Sequence, residues 1–274
     1  VSYFYTSHYN QTVVDNETLS SSDFNTYSVV VPSLSTLPGG GGNTISGLAN
    51  RTAASLAKIP HNETKLATNF GTQKETYSGV DIELNTTFGD GGMFRSGISL
   101  GTSTNDRCFV VDSPQELYQC KVTTPLAGTT QVKLSGAYPL PYGLEVSGVY
   151  QNLPGVPIQA GVTFFNSAIA GSLGRNLSSC PASTGACNST VSINVLEPNQ
   201  SFEKRMNQLD FRIAKVFRGA GMRVRITFDL YNALNNAPIL ARNNSFGTTG
   251  QGWGTPTQIM SGRLVKIGGQ FSWN

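Results

Sequence analysis

The sequence predicts an all-β chain of about eight antiparallel, up-and-down membrane β-barrel strands. Three observations predict it. Apolar and polar residues alternate with period two in one segment after another. The connections between those segments are short and long by turns. The last segment, 264–274, alternates up to an aromatic tip, with Val265, Ile267, Phe271 and Trp273 on one face and Lys266, Gln270 and Ser272 on the other.

The segments follow in order. The chain opens on Val1-Ser2-Tyr3-Phe4-Tyr5, which is strand-like. Val80, Ile82 and Leu84 alternate with Asp81, Glu83 and Asn85. After the turn 89–92 comes the segment 94–100. Val132, Leu134 and Tyr138 alternate with Gln131, Lys133 and Ser135. Beyond the turn 139–143, Leu144, Val146 and Tyr150 alternate with Glu145, Ser147 and Gln151. Leu209, Phe211 and Ile213 alternate with Gln208, Asp210 and Arg212. After 218–221, Val224, Ile226, Phe228 and Leu230 alternate with Arg223, Arg225, Thr227 and Asp229. Period-two patterns bounded by Gly and Pro are strands. The long connections cover roughly 15–72, 108–128, 154–203 and 236–255.

Tight turns on one side and long loops on the other is the topology of an outer-membrane barrel. The apolar faces have no amphipathic helix to pack against, and lipid supplies that partner. The polar faces then line a lumen, with Asp81, Glu83, Arg95, Lys133, Glu145, Asp210, Arg212, Arg225, Asp229 and Lys266 as lumen-facing charges. Asp81 and Glu83 are expected to be balanced by Arg95 and Lys133. In the hairpin 206–217 with 222–234, odd residues must oppose even ones for the faces to match. The shorter of two registers sets Phe211 opposite Phe228 and Asp210 opposite Asp229. The other sets Arg212 opposite Asp229, and the shorter one is preferred.

Charged residues make up 13% of the chain and the net charge is +3, too little to argue for nucleic acid. No apolar run approaches the ~18 residues of a membrane helix, which leaves a barrel possible. The chain starts at Val1 without an initiator Met or signal core, and the expectation is a piece of a longer protein. The four cysteines form local pairs, Cys108 with Cys120 and Cys180 with Cys187. With neither the short zinc spacing nor a nearby His, disulfides are expected.

No enzyme and no cofactor is expected. His8 and His61 stand far apart in sequence. Gly97-Ile98-Ser99-Leu100-Gly101 has the letters of a nucleophile elbow, but no helical pattern follows it. Ser99 reads as a polar-face strand residue. Gly39-Gly40-Gly41-Gly42 is loop, since no Gly-Lys-Ser/Thr follows. The Asn-x-Ser/Thr triplets, such as those at Asn10, Asn50 and Asn62, are expected by chance in a chain this rich in Asn, Ser and Thr.

Several stretches resemble the C-terminal part of the Oar-like TonB-dependent receptors of the bacterial outer membrane. They are the segment from Leu37 to Leu48, Tyr77-Ser78-Gly79-Val80-Asp81, Arg205 to Arg212, Phe228-Asp229-Leu230-Tyr231-Asn232-Ala233-Leu234-Asn235, and Pro256-Thr257-Gln258-Ile259. The resemblance implies a larger barrel around a plug, energised through TonB, of which this chain holds about the last eight strands. The plug and the N-terminal domain have no counterpart here. It implies as partners the outer-membrane lipid, the rest of the barrel and plug, TonB through the missing part, and the barrel-assembly machinery. The last of these would meet the C-terminal strand of Val265, Ile267, Phe271 and Trp273. The family's last strand usually ends on its aromatic, whereas here Asn274 follows Trp273. Two other readings are a stand-alone eight-stranded barrel (an anchor or adhesin) and a secreted, disulfide-bonded β-domain. Loop aromatics such as Tyr27, Phe164 and Trp253 are candidates to touch a ligand.

Overall fold

The computed structural model describes residues 1–219 and 221–273. Strand makes up 53% of it and helix 11%. The main sheet is an antiparallel meander of eight strands: β1 (Ser2–His8), β2 (Lys74–Phe88), β3 (Gly92–Asp106), β4 (Gln131–Leu140), β5 (Leu144–Leu153), β6 (Met206–Gly219), β7 (Met222–Tyr231) and β8 (Leu264–Trp273). A short ninth strand, Lys121–Thr124, pairs with the end of β3. Each long strand pairs with its neighbours in chain order. Among the described residues β1 pairs only with β2 and β8 only with β7, so these strands do not close into a barrel. Among the described residues no helix is long and apolar enough to cross a membrane.

The connections sort by side as expected. β2–β3, β4–β5 and β6–β7 turn tightly at one end, and the four long connections leave the other. Gly91 and Cys108 flank opposite ends of β3. The turn after β4 places Tyr142 and Gly143 at φ 64° and 74°. A side chain on Gly143 would meet the Val216 carbonyl oxygen at 2.6 Å, so the turn requires glycine there. The third turn includes Ala220, which lies outside the described residues; Gly221 beside it is at φ 75°.

The register in β6–β7 is the longer of the two, which corrects the preference. Phe211 stands opposite Leu230, and Arg212 opposite Asp229. The odd-to-even rule holds. The strands run on to the pair Gly219–Met222, further than the sequence suggested, and the shift replaces two opposed carboxylates with an ion pair.

Register carries one apolar face across the whole sheet. Tyr3 lies opposite Val80 and Val80 opposite Leu100. Ile82 lies opposite Ile98, and Ile98 opposite Val132. Tyr138 lies opposite Val146, Val146 opposite Ile213, Ile213 opposite Phe228, and Phe228 opposite Ile267. This face is the exposed one: Ile267 and Trp273 are each 74% accessible. The opposite, polar face holds Asp229 at 2%. A sheet on a soluble core buries its apolar face and wets the other; here the apolar face stays open, while the polar face buries Asp229 and leaves Glu83, Arg95, Lys266 and Gln270 exposed.

The core that a water-soluble sheet would cover lies in the long connections instead. Strands Phe24–Val30 and Thr44–Arg51 pair within the first connection. Gly161–Phe165 pairs with Thr190–Asn194 in the third connection and with Ser245–Gly247 in the fourth. With the helix Asn166–Leu173, they enclose Tyr27, Val29, Leu48, Val162, Ile169, Ile193 and Phe246. Leu48 and Ile169 are fully buried. Arg175 ties the third connection to the first, donating to Asn25 Oδ1 at 3.0 Å, Asn50 Oδ1 at 2.9 Å and the Arg51 carbonyl at 2.9 Å. The loops thus form one folded cap.

Candidate functional site

The polar face of the sheet and its capped end form the candidate site. Alternation puts Asp81, Glu83, Arg95, Lys133, Glu145, Asp210, Arg212, Arg225, Asp229 and Lys266 on this face. Arg212 grips Asp229 through Nε and, at 3.1 Å, through Nη2, a two-pronged pair. Lys266 is directly opposite Asp229. Arg225 reaches Glu145 at 2.5 Å. Asp210 accepts from Gln208 at 3.0 Å and from the Asn232 backbone N–H at 2.8 Å.

Asp81 and Glu83 are not balanced as expected. Asp81 accepts from the Ser99 hydroxyl at 2.6 Å. Glu83 stands opposite Gly97, which has Lys133 on its other side. Lys133 is therefore two strands from Glu83, roughly 10 Å across the sheet. Arg95 stands between Asn85 and Ser135. Among the described residues, none of Asp81, Glu83, Arg95 and Lys133 makes an ion pair within 4.0 Å. Ser99 has the polar-face role read for it.

At the capped end the polar face opens into a cavity of about 640 Å³. β1, β2 and β3 form its floor, and the connection after β3 forms a wall. Cys108 and Cys120 are bonded, with Cα atoms 4.9 Å apart, and clamp that wall. The Tyr118 hydroxyl donates to the Asn194 carbonyl at 2.6 Å, and Gln119 donates to the Leu196 carbonyl at 2.8 Å. Burial pushes the Tyr118 phenol above its ordinary value, so it stays a donor at neutral pH. The Glu116 carboxylate accepts from the backbone N–H groups of Val111 at 2.7 Å and Ser113 at 3.1 Å. Cys180 and Cys187 are bonded as expected, with Cα atoms 5.9 Å apart, in the third connection.

Two of the loop aromatics are corrected. Tyr27 and Phe164, each 5% accessible, are packed in the cap core, where a ligand cannot reach them. Trp253 is half-buried, donates Nε1 to the Gln159 carbonyl at 2.9 Å and lies 5.0 Å from the Arg242 guanidinium. Glu17, His61 and Glu63 bring ligand atoms within 4.8 Å of one another. The Lys65 ammonium pairs with Glu17 and stands 4.0 Å from Glu63, so a cation already fills the place a metal would take.

The cavity residues Tyr77, Asn105, Arg107 and Tyr118 were not identified from the sequence. Apart from the segment 77–81 that carries part of the resemblance, the sequence offers for them a pair of glycines, Gly79 and Gly101, at polar-face positions, and only register brings these two opposite each other. No protein-family model and no curated protein matches this sequence.

Proposed function

We propose that the chain forms the last strands of a TonB-dependent transporter barrel in the bacterial outer membrane, of the Oar-like kind its motifs resemble. The observation that supports this reading is the two-faced sheet: a continuous apolar face left open, and ion pairs gathered on the polar face. On β2 the outward run from Val80 to Phe88 is about 27 Å long at ~3.4 Å per residue, or roughly 20 Å across a bilayer once tilted by ~40°. That is near the ~25 Å apolar band of outer-membrane barrels.

Aromatic residues gather at the turn end of the same face. Phe88 and Tyr138 stack at 5.6 Å, and Phe271 and Trp273 meet at 5.5 Å. Lys215, also on this face, bends to the Tyr142 carbonyl in the turn and lies 5.5 Å from the Phe217 ring. A lysine on a lipid face reaches for the interface in this way. The unpaired edges of β1 and β8 favour further flanking strands over a stand-alone barrel, because lipid leaves backbone N–H and C=O groups unsatisfied. TonB and the plug would act through other parts of the polypeptide. The C-terminal strand would engage the assembly machinery.

The test is a pair of substitutions one residue apart, in the polypeptide that carries this chain. Phe228→Arg, on the apolar face, should block assembly into the outer membrane, since arginine near mid-bilayer costs about 2–4 kcal/mol. Thr227→Arg, on the polar face, should assemble. Equal yields of the two variants in outer-membrane fractions would remove the two-faced reading. A chain that stays soluble without detergent would point to a secreted β-domain instead.

A further inference from the structure

We propose that Tyr77 is the stacking platform of a binding site for a neutral oligosaccharide, at the capped end of the polar face. The inference rests on the reading of that face as a lumen lining. A strand side chain ordinarily stands roughly perpendicular to its sheet. Tyr77 instead lies along the sheet, over Gly79 and Gly101, which are buried and directly opposite each other. A Cβ on Gly79 would come within 2.4 Å of the Tyr77 hydroxyl oxygen, and one on Gly101 within 2.5 Å. Glycine weakens a strand, and in a strand interior it marks a close approach. Here two opposed glycines let the hydroxyl end of an aromatic ring come close over the sheet. The ring is half-buried, so it also faces the cavity it lines.

A sugar ring has an apolar C–H face and a rim of hydroxyls. It suits a flat aromatic surface surrounded by a few polar groups, the general pattern of small-molecule sites. Around Tyr77 stand the Ser103 hydroxyl, the Asn105 amide and the Arg107 guanidinium. Ser103 is half-buried and Asn105 and Arg107 are exposed at the cavity mouth, and none of the three side chains has a hydrogen-bond partner among the described residues, whereas the carboxylates nearby are engaged. Glu116 is held by backbone N–H groups. Glu75 accepts from Gln11 at 3.1 Å and lies 3.8 Å from His8. Two carboxylates and one guanidinium disfavour the phosphates of a nucleotide, the other ligand that stacks on a tyrosine. The cavity of about 640 Å³ lies within the ~300–1,000 Å³ of small-molecule sites.

The test uses the detergent-purified polypeptide that carries this chain. It is titrated with maltohexaose, cellohexaose and laminarihexaose, and with ATP and trialanine, by calorimetry and saturation-transfer NMR. At least one of the three sugars should bind, with its ring C–H protons receiving the saturation. Tyr77→Ala should weaken that binding about tenfold, and Tyr77→Phe should leave it within about twofold. Asn105→Ala, an exposed position on the neighbouring strand, should weaken it without loss of assembly, which keeps the test open if Tyr77→Ala misfolds. Binding of none of the three sugars, equal binding of ATP or trialanine, or indifference to both Tyr77→Ala and Asn105→Ala would overturn the site. The detergent titration needs no membrane insertion, so failure of the lumen reading would show separately, in the Phe228→Arg and Thr227→Arg pair.

Discussion

Single residues show the division of the molecule most directly. Asp229 is buried on the polar face because Arg212 supplies a two-pronged partner. Removing one member of such a pair leaves the other charge without compensation. In the cap, Asp23 has a comparable place. Lys58 donates to it at 2.6 Å and the Ser20 backbone N–H at 2.8 Å. The Lys58 hydrogen bond first, and the Ser20 one next, hold the Asp23 carboxyl below its ordinary value of 3.8. A carboxyl with a depressed folded pKa adds stability at pH above its unfolded value and loses it as pH falls through the folded one. The cap should therefore weaken in acid below about 3.8, and Asp23→Asn should flatten that loss. Amide exchange at Thr52, whose N–H bonds the Asp23 carbonyl at 2.8 Å, reads it. An unchanged acid profile in Asp23→Asn would sink the assignment. Glu17 is lowered too, by Lys65 and His61, so a residual acid dependence is expected.

Among the elements, the strands needed only alternation to be found, and the eight expected are the eight of the main sheet. The cap elements carry a loop-like composition, dominated by Gly, Ser, Thr, Asn and Pro. Yet Val29-Val30-Val31 beside Tyr27 is a short β-branched and aromatic run, a weak strand signal within the first connection. Its packing partners, Val162, Ile193 and Phe246, lie far along the chain. The disulfide-clamped wall of the cavity is an element of another kind, held by covalent closure. Cys108 and Cys120 are 12 apart in sequence, and closing a loop of this size contributes roughly 3 kcal/mol through the unfolded state. In Cys108→Ser with Cys120→Ser, amide exchange in 107–120 should rise by about two orders of magnitude while β7 and β8 keep their protection. Uniform loss of protection across the sheet would show that the bridge supports the whole fold and not its wall.

For the whole molecule, the proposed arrangement is a sheet with its apolar face turned to lipid and a separate core in the loops at one end. The sheet should depend on detergent and the cap should not. On detergent dilution the polypeptide should aggregate through the sheet, while cap residues such as Leu48 and Ile169 keep slow amide exchange in the aggregate. Exchange that rises first in the cap would contradict this order. The sequence by itself determined the strands, their faces, the side of each turn and both disulfides, because each depends on period two or on local spacing. Only the tertiary structure decided the rest. Register in β6–β7 follows from pairing Arg212 with Asp229, a contact the alternation alone allows but does not require. The charges expected to balance Asp81 and Glu83 fall elsewhere, since facing is a property of one strand and distance a property of three. The cap core and the seat of Tyr77 over Gly101 need residues far apart in sequence to meet, and no local pattern encodes that meeting.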